Sequence, residues 1–235
     1  MTALDGRTDL AFPGQFSGLS RTLRLPEQGA VPLPALLRPA ELAHVTERYA
    51  ALFPGGERRA MLSFWSQHYL LALIPATVAA ALVAQQDLPV ALDGMAVVLS
   101  EAGQPTALCL PHSGLPTAAS CPATRLTPLL RTHLHPLARG LDAAGLPSRV
   151  LWGNAAAMLV WTLGVISAPA DQVAAVRRAL EGICWADGGA NPFHPVLNRG
   201  ATRACRRVCC LRYRLPDVPE CPDCPRTCRA GSRVP

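Results

Sequence analysis

Hydrophobic positions recur at helical spacing over most of the chain, interrupted by proline and glycine rather than by long polar stretches. Leu42, Val45, Tyr49 and Leu52 share one side of a helix over residues 40–53, with Pro39 where helices start and Pro54-Gly55-Gly56 where this one stops. A longer run, residues 57–86, sets Trp65, Tyr69, Leu70 and Leu73 on a wide apolar face and holds no charge between Arg59 and Asp87. Pro75 predicts a kink or a split within it. Residues 127–144 carry Leu129, Leu130, Leu134, Leu137 and Leu141, with Pro136 as an interior irregularity and Gly145 as the cap. Ser148 fits the N-cap of a helix over residues 149–167, uncharged from Val150 to Ala170. Residues 171–181 form a last amphipathic helix, with Val173, Val176 and Leu180 on one side.

The period changes between residues 88 and 110. Val90 and Leu92, then Asp93-Gly94, then Met95, Val97 and Leu99 predict two strands around a tight turn. Ala102-Gly103-Gln104-Pro105 turns the chain again into a third short strand over residues 106–110. Residues 1–37 are studded with Phe12-Pro13-Gly14, Leu25-Pro26, Val31-Pro32 and Leu33-Pro34, which excludes a long helix and predicts an irregular, loosely attached arm. The expected fold class is α+β, predominantly α. It comprises an arm (1–37), a helical domain with a small antiparallel β-meander at about 88–110 (38–198), and an irregular cysteine-rich segment (199–235).

Two uncharged runs, residues 69–84 and 150–168, raise a membrane alternative. Ser66, Gln67 and His68 cut the first apolar stretch to about 16 residues, short of the roughly 20 a span needs. Trp152, Gly153, Asn154 and Thr162 dilute the second, so buried core helices are the expectation for both.

At 235 residues with 50% hydrophobic and 16% charged composition, the chain is long and apolar enough to fold around a sizeable core. Every basic residue is arginine, and nine of the 22 lie between Arg199 and Arg233, within a net charge of +6. A basic tail attracts nucleic acid, a membrane surface or small anions. Without interleaved aromatics or a nucleic-acid motif, nucleic acid ranks last and is not expected as a partner. The stretch 1–10 holds Asp5, Arg7 and Asp9 and no signal-peptide core, so a cytoplasmic, reducing setting is expected. Peripheral association with the inner face of the membrane stays open.

Chemistry concentrates near the C-terminus, where six of the nine cysteines fall within 24 residues: Cys205, Cys209, Cys210, Cys221, Cys224 and Cys228. In a reducing compartment such a cluster points to metal rather than disulfides. A Cys-x-x-Cys places two thiolates on one ion, but the adjacent Cys209 and Cys210 crowd a single tetrahedral zinc and suit a two-iron cluster better. Prolines 216, 219, 222 and 225 stiffen the loop, and arginines 206, 207, 212 and 214 offset thiolate charge and would raise a reduction potential. A zinc-stapled, non-enzymatic binding module is the alternative. Cys205 and Cys228 read as spare thiols near the cluster, either able to substitute as a ligand, and Cys109, Cys121 and Cys184 as small core residues. His133 and His135 would face different sides of a helix and read as structural or surface groups. No Ser/His/Asp or paired-carboxylate set stands out, and no Gly-x-Gly-x-x-Gly or P-loop signals a nicotinamide, flavin or nucleotide site.

Arg206-Arg207-Val208-Cys209-Cys210-Leu211-Arg212-Tyr213 followed by Cys221-Pro222-Asp223-Cys224-Pro225 resembles the C-terminal signature of the FhuF-type ferric-siderophore reductase family, Cys-Cys-x10-Cys-x2-Cys. The tight match covers about 20 residues; the chain length and Leu151-Trp152-Gly153-Asn154-Ala155 are similar less specifically. The resemblance implies a [2Fe–2S] cluster on Cys209, Cys210, Cys221 and Cys224, with no catalytic residue beyond these ligands. It also implies one-electron reduction of siderophore-bound Fe(III) in the cytoplasm, fed by an external donor such as a ferredoxin or flavin reductase.

Overall fold

Helix α3 (Arg58–Ala79) and helix α6 (Ser148–Val165) set the frame, and their mutual contact is the most extensive between any two elements. Both are apolar on nearly every side, which a helix can be only where neighbours cover it. In the computed structural model, which describes residues 18, 21–116, 121–185, 188–196 and 206–230, α3 buries Leu62, Trp65, Tyr69, Leu70, Leu73 and Ile74. Helix α6 buries Leu151, Trp152, Ala155 and Leu159. Around this pair lie α1 (Leu33–Leu36), α2 (Pro39–Ala50), α4 (Pro122–Arg125), α5 (His135–Ala143) and α7 (Ala170–Glu181). A last short helix, α8 (Pro225–Ala230), closes the described chain. The fold is α+β and mostly α.

Pro75 does not split α3. The helix runs through it and continues as a π-helical turn, Ala80–Ala84, ending at Gln85 with φ 52°. Pro75 and its neighbours from Leu73 to Ala79 are buried, and packing on all sides holds a helix that proline's missing N–H would weaken in isolation. Among the described residues one helix, Arg58–Ala84, is long and apolar enough to cross a membrane, with mean hydropathy 1.6 over its best window. That window is 72% buried inside the protein, and residues 150–168 form no second such helix.

The sheet differs from the expected meander. It has four strands in the order β1 (Leu23–Arg24), β5 (Pro105–Cys109), β4 (Ala96–Leu99), β2 (Val31–Pro32). Strands β4 and β5 pair antiparallel with Val97 opposite Leu108, joined by the turn over residues 100–104 as expected. Strand β1 runs parallel to β5, which makes the sheet mixed. The expected strand over Val90 and Leu92 does not form. Asp93-Gly94 lies in a 3-10 turn, Leu92–Gly94, and β2 takes the place beside β4. Pro32 has no N–H to donate, so it fits an edge strand of this kind. Residues 23–36, expected to be loosely attached, thus supply two strands and a helical turn, with Leu23, Leu33 and Leu36 fully buried. The arm's Phe12-Pro13-Gly14 lies outside the described residues. A two-stranded ribbon, β3 (Gln86–Asp87) with β6 (Leu115–Pro116), stands apart from the main sheet.

Trp65 ties the sheet to α3 by donating from Nε1 to the Gly103 carbonyl at 2.9 Å. Gly103 has φ +78°, and a Cβ there would stand 2.5 Å from the Val45 carbonyl oxygen, so glycine is required on both counts. Between α4 and α5 the chain forms a π-helical turn, Pro128–Leu134, with Pro136 at the start of α5 and Gly145 capping at φ +104°. Ser148 does not cap α6. It is the helix's first residue, and its N–H donates to Asp142 Oδ1 at 2.9 Å, so the acidic side chain six residues earlier does the capping.

His133 is fully buried, as one of its two expected roles requires. Its Nδ1 donates to the Val90 carbonyl at 2.7 Å, and the neutral ring's Nε2 accepts from the Tyr69 hydroxyl at 2.6 Å. Burial pulls its pKa down to about 4, against the opposing bond to Val90. The folded pKa lies below the ordinary 6.5, so this residue's contribution is complete above pH 6.5 and is lost as pH falls towards 4. Over that window it amounts to about 3 kcal/mol. Urea unfolding at stepped pH should show this fall in the parent protein. A His133→Leu variant should be less stable at pH 7 yet flatter with pH; equal slopes in the two proteins would refute the assignment.

Candidate metal centre

The cysteine segment begins where α6 and α3 leave a polar opening in an otherwise apolar contact. Ser63 and Ser66 on α3 and Asn154 on α6 are all buried, Asn154 only 3% exposed. Asn154 Nδ2 donates to Ser63 Oγ at 3.0 Å and to Ser66 Oγ at 3.1 Å. Its Oδ1 accepts from an Arg206 guanidinium N–H at 3.0 Å. Ser63 Oγ donates in turn to the Cys210 carbonyl at 2.7 Å. Each buried polar group is thereby satisfied, and the ends of the network lie in the segment.

Two glycines seat the segment on the body. A Cβ on Gly153 would come within 3.0 Å of Val208 Cβ, and one on Gly56 within 3.1 Å of Leu215 Cδ2. The segment also closes on itself. Arg206 donates from its backbone N–H to the Asp223 carbonyl at 2.9 Å and from Nε to Asp223 Oδ2 at 2.6 Å. Leu211 takes φ +63°, an uncommon conformation for a bulky residue, and a 3-10 turn, Arg212–Arg214, follows. This reversal lets the Leu211 N–H donate to Cys209 Sγ at 3.4 Å. The Cys-x-x-Cys is a turn in which the Cys224 N–H bonds the Cys221 carbonyl at 3.1 Å.

Cys210, Cys221 and Cys224 come together as a small buried cluster, 2%, 5% and 2% exposed, with Cys209 half-buried beside them. Cys210 Sγ and Cys221 Sγ are hydrogen-bonded at 3.5 Å. Two sulfurs on one tetrahedral metal with bonds of 2.3 Å stand about 3.8 Å apart, so this pair already has nearly the spacing of two ligands on one ion. Among the described residues no three histidine, cysteine or carboxylate groups form a closed cage. The fit rests on the pair, its burial and the two further thiols carried on the same loop.

The electrostatics favour release of a proton from the pair. Cys210 is pulled down to about 6, first by its hydrogen bond with Cys221, then by the Arg212 N–H and the Arg206 guanidinium, against burial. The same bond and burial push Cys221 up. At both sulfurs the pull of Arg206 outweighs the opposing charge of Asp223. Burial raises Cys209, with the Leu211 N–H opposing it.

The other arginines of the segment are turned elsewhere. Arg212 lies over the Phe64 ring at 5.0 Å, Arg214 pairs with Glu57, and Arg226 lies 3.7 Å over Tyr213 while pairing with Glu220. Arg207 is exposed. Cys205 lies outside the described residues, and of Cys228 only its place in α8 is described. Cys109 is buried in β5 as expected, whereas Cys121 and Cys184 are exposed rather than core residues.

The residues that sequence reasoning missed are Ser63, Ser66 and Asn154. The last two counted there only as dilution of apolar runs. Ser63 and Ser66, three apart on one face of an uncharged helix, were the available signal that something polar packs against that face.

Residues 63–204 match the family model described as ferric iron reductase FhuF-like transporter, and residues 206–226 match the FhuF 2Fe-2S C-terminal domain. The ferric siderophore reductase of Escherichia coli strain K12 is 27% identical over 173 residues, covering 70% of this chain and 65% of that protein. The chain thus spans just under two thirds of that relative's length. The match of the C-terminal domain assigns a [2Fe–2S] cluster to the cysteine segment.

Proposed function

The chain belongs to the family of FhuF-like ferric iron reductases, and we propose from that premise that it reduces Fe(III) held in a siderophore. Cys209, Cys210, Cys221 and Cys224 would hold the [2Fe–2S] cluster, and the buried Cys210–Cys221 pair at 3.5 Å is the observation that carries this assignment. When bound there, the cluster supplies electrons one at a time. The substrate is a ferric siderophore: it takes up one electron, Fe(III) becomes Fe(II), and the chelate, which holds Fe(II) far less tightly, lets the metal go in the cytoplasm.

The chain's own part is to hold and shield. Ser63 grips the loop at the Cys210 carbonyl, and three of the four cysteines are buried. Cys209 is the least buried of the four, and a bulky chelate would approach on its side. No nucleotide or flavin signature accompanies the segment, so an external donor such as a ferredoxin or flavin reductase is required. The reading includes no nucleic acid.

Protein purified without oxygen is expected to be reddish-brown, to carry two irons and two inorganic sulfides per chain, and to bleach with dithionite. Adding a ferric siderophore to the reduced protein should restore the colour and yield Fe(II) trapped by a ferrous chelator. A colourless protein with stoichiometric zinc would overturn the reading in favour of a zinc-stapled binding module.

A further inference from the structure

Four arginines near the cysteines looked interchangeable as counter-charges, and the structure separates them. Arg212 is committed to Phe64, Arg214 to Glu57, and Arg207 is exposed. Arg206 is clamped from two sides, by Asn154 of the core helix α6 at 3.0 Å and by Asp223 of the Cys-x-x-Cys turn at 2.6 Å, with its side chain 15% exposed. A cation on a surface stem swings and is screened, whereas one fixed by two partners and partly buried keeps its field on its neighbours.

We infer that Arg206, held by Asn154, sets the reduction potential of the cysteine-bound cluster, with Asp223 as the opposing charge. This rests on the [2Fe–2S] reading of the segment. One-electron reduction adds a negative charge to the group on Cys210 and Cys221. A guanidinium fixed on the Cys221–Cys224 turn through Asp223 stabilises the reduced state more than the oxidised one and raises the potential. The Asp223 carboxylate acts in the contrary sense. Asn154 is a positioning residue: its Oδ1 holds the guanidinium towards the core while its Nδ2 is anchored on Ser63 and Ser66.

The two charged partners give the test its sign. A purely structural ion pair would weaken the fold alike when either partner is removed, and would leave the potential alone. An electrostatic role moves the potential in opposite directions. Potentiometric titration followed by visible and EPR spectra should place Arg206→Gln below the parent by about 59 mV, tenfold in a one-electron equilibrium. Asp223→Asn should lie above the parent, and Arg206→Lys close to it. Equal potentials, or shifts of the same sign, in cluster-loaded Arg206→Gln and Asp223→Asn would overturn the inference. If Arg206→Gln fails to hold a cluster, Asp223→Asn and Arg206→Lys decide. A raised potential in the first with a near-parental one in the second supports the role, and an unchanged or lowered potential in Asp223→Asn refutes it. A parent protein without iron and sulfide would instead mark the failure of the cluster reading itself.

Discussion

Cys221→Ser and Cys224→Ser should each lose most of the bound iron, the visible absorption and the reductase activity, while Cys228→Ser keeps all three. The reason lies in what each sulfur does. Cys221 is half of the buried 3.5 Å pair, and Cys224 completes the buried group with Cys210. Residues that merely orient a metal ligand already change affinity by about 10–100-fold when replaced, so removal of a ligand should cost at least the upper end of that range. Serine preserves the volume of cysteine closely, and far-UV circular dichroism should show the helical body intact in every variant. Iron and sulfide analysis with the visible spectrum provides the measurement. Loss of the cluster in Cys228→Ser alone would show that the ligand set is wrong.

Gly153→Val should have the next largest effect, though it lies on the helix and touches no sulfur. The added Cβ would meet Val208 Cβ at 3.0 Å, and the branched methyls of valine would press further into the segment one residue before Cys209. Overpacking of this kind costs about 1–3 kcal/mol, and here the strain falls on the loop that carries the proposed ligands. Gly153→Ala is the informative control. Alanine improves helix propensity by about 1 kcal/mol, which offsets a shift of a few tenths of an ångström, so its melting temperature should stay near that of the parent. Thermal unfolding together with iron content distinguishes the two. Full iron loading in Gly153→Val would show that the contact with Val208 does not seat the segment.

What could be read from the sequence was what is local. The helices α2, α3, α6 and α7 followed from apolar periodicity, and the turn at Gly103 from its residues. The cysteine segment that matches the 2Fe-2S domain was legible because its spacing is a property of one short stretch. What escaped depends on partners far away in the chain. Strands β1 and β2 are two residues each, too short to show any period, and they exist because β4 and β5 offer edges for residues 23–24 and 31–32 to join. Pro75 broke no helix because tertiary packing outweighs a single missing hydrogen bond. Asp142 rather than Ser148 satisfies the start of α6, a choice set by the path of the loop between them. Asn154 and Ser66 argued only against a membrane span: the spacing of Ser63 and Ser66 marks a polar face, but not which residue, 88 positions away, meets it.

The attachment of the cysteine loop bears on speed as well as on binding. Electron exchange is slowed whenever the surroundings must rearrange to suit the new charge, and polar groups already fixed in place avoid that delay. The loop is pinned at the Cys210 carbonyl by Ser63, at Arg206 by Asn154, and at Val208 against a bare glycine. Such a mounting leaves little for the protein to move between one oxidation state and the next. On the proposed reductase reading, the nuclear reorganisation of each turnover would then fall mainly on the departing chelate rather than on the protein.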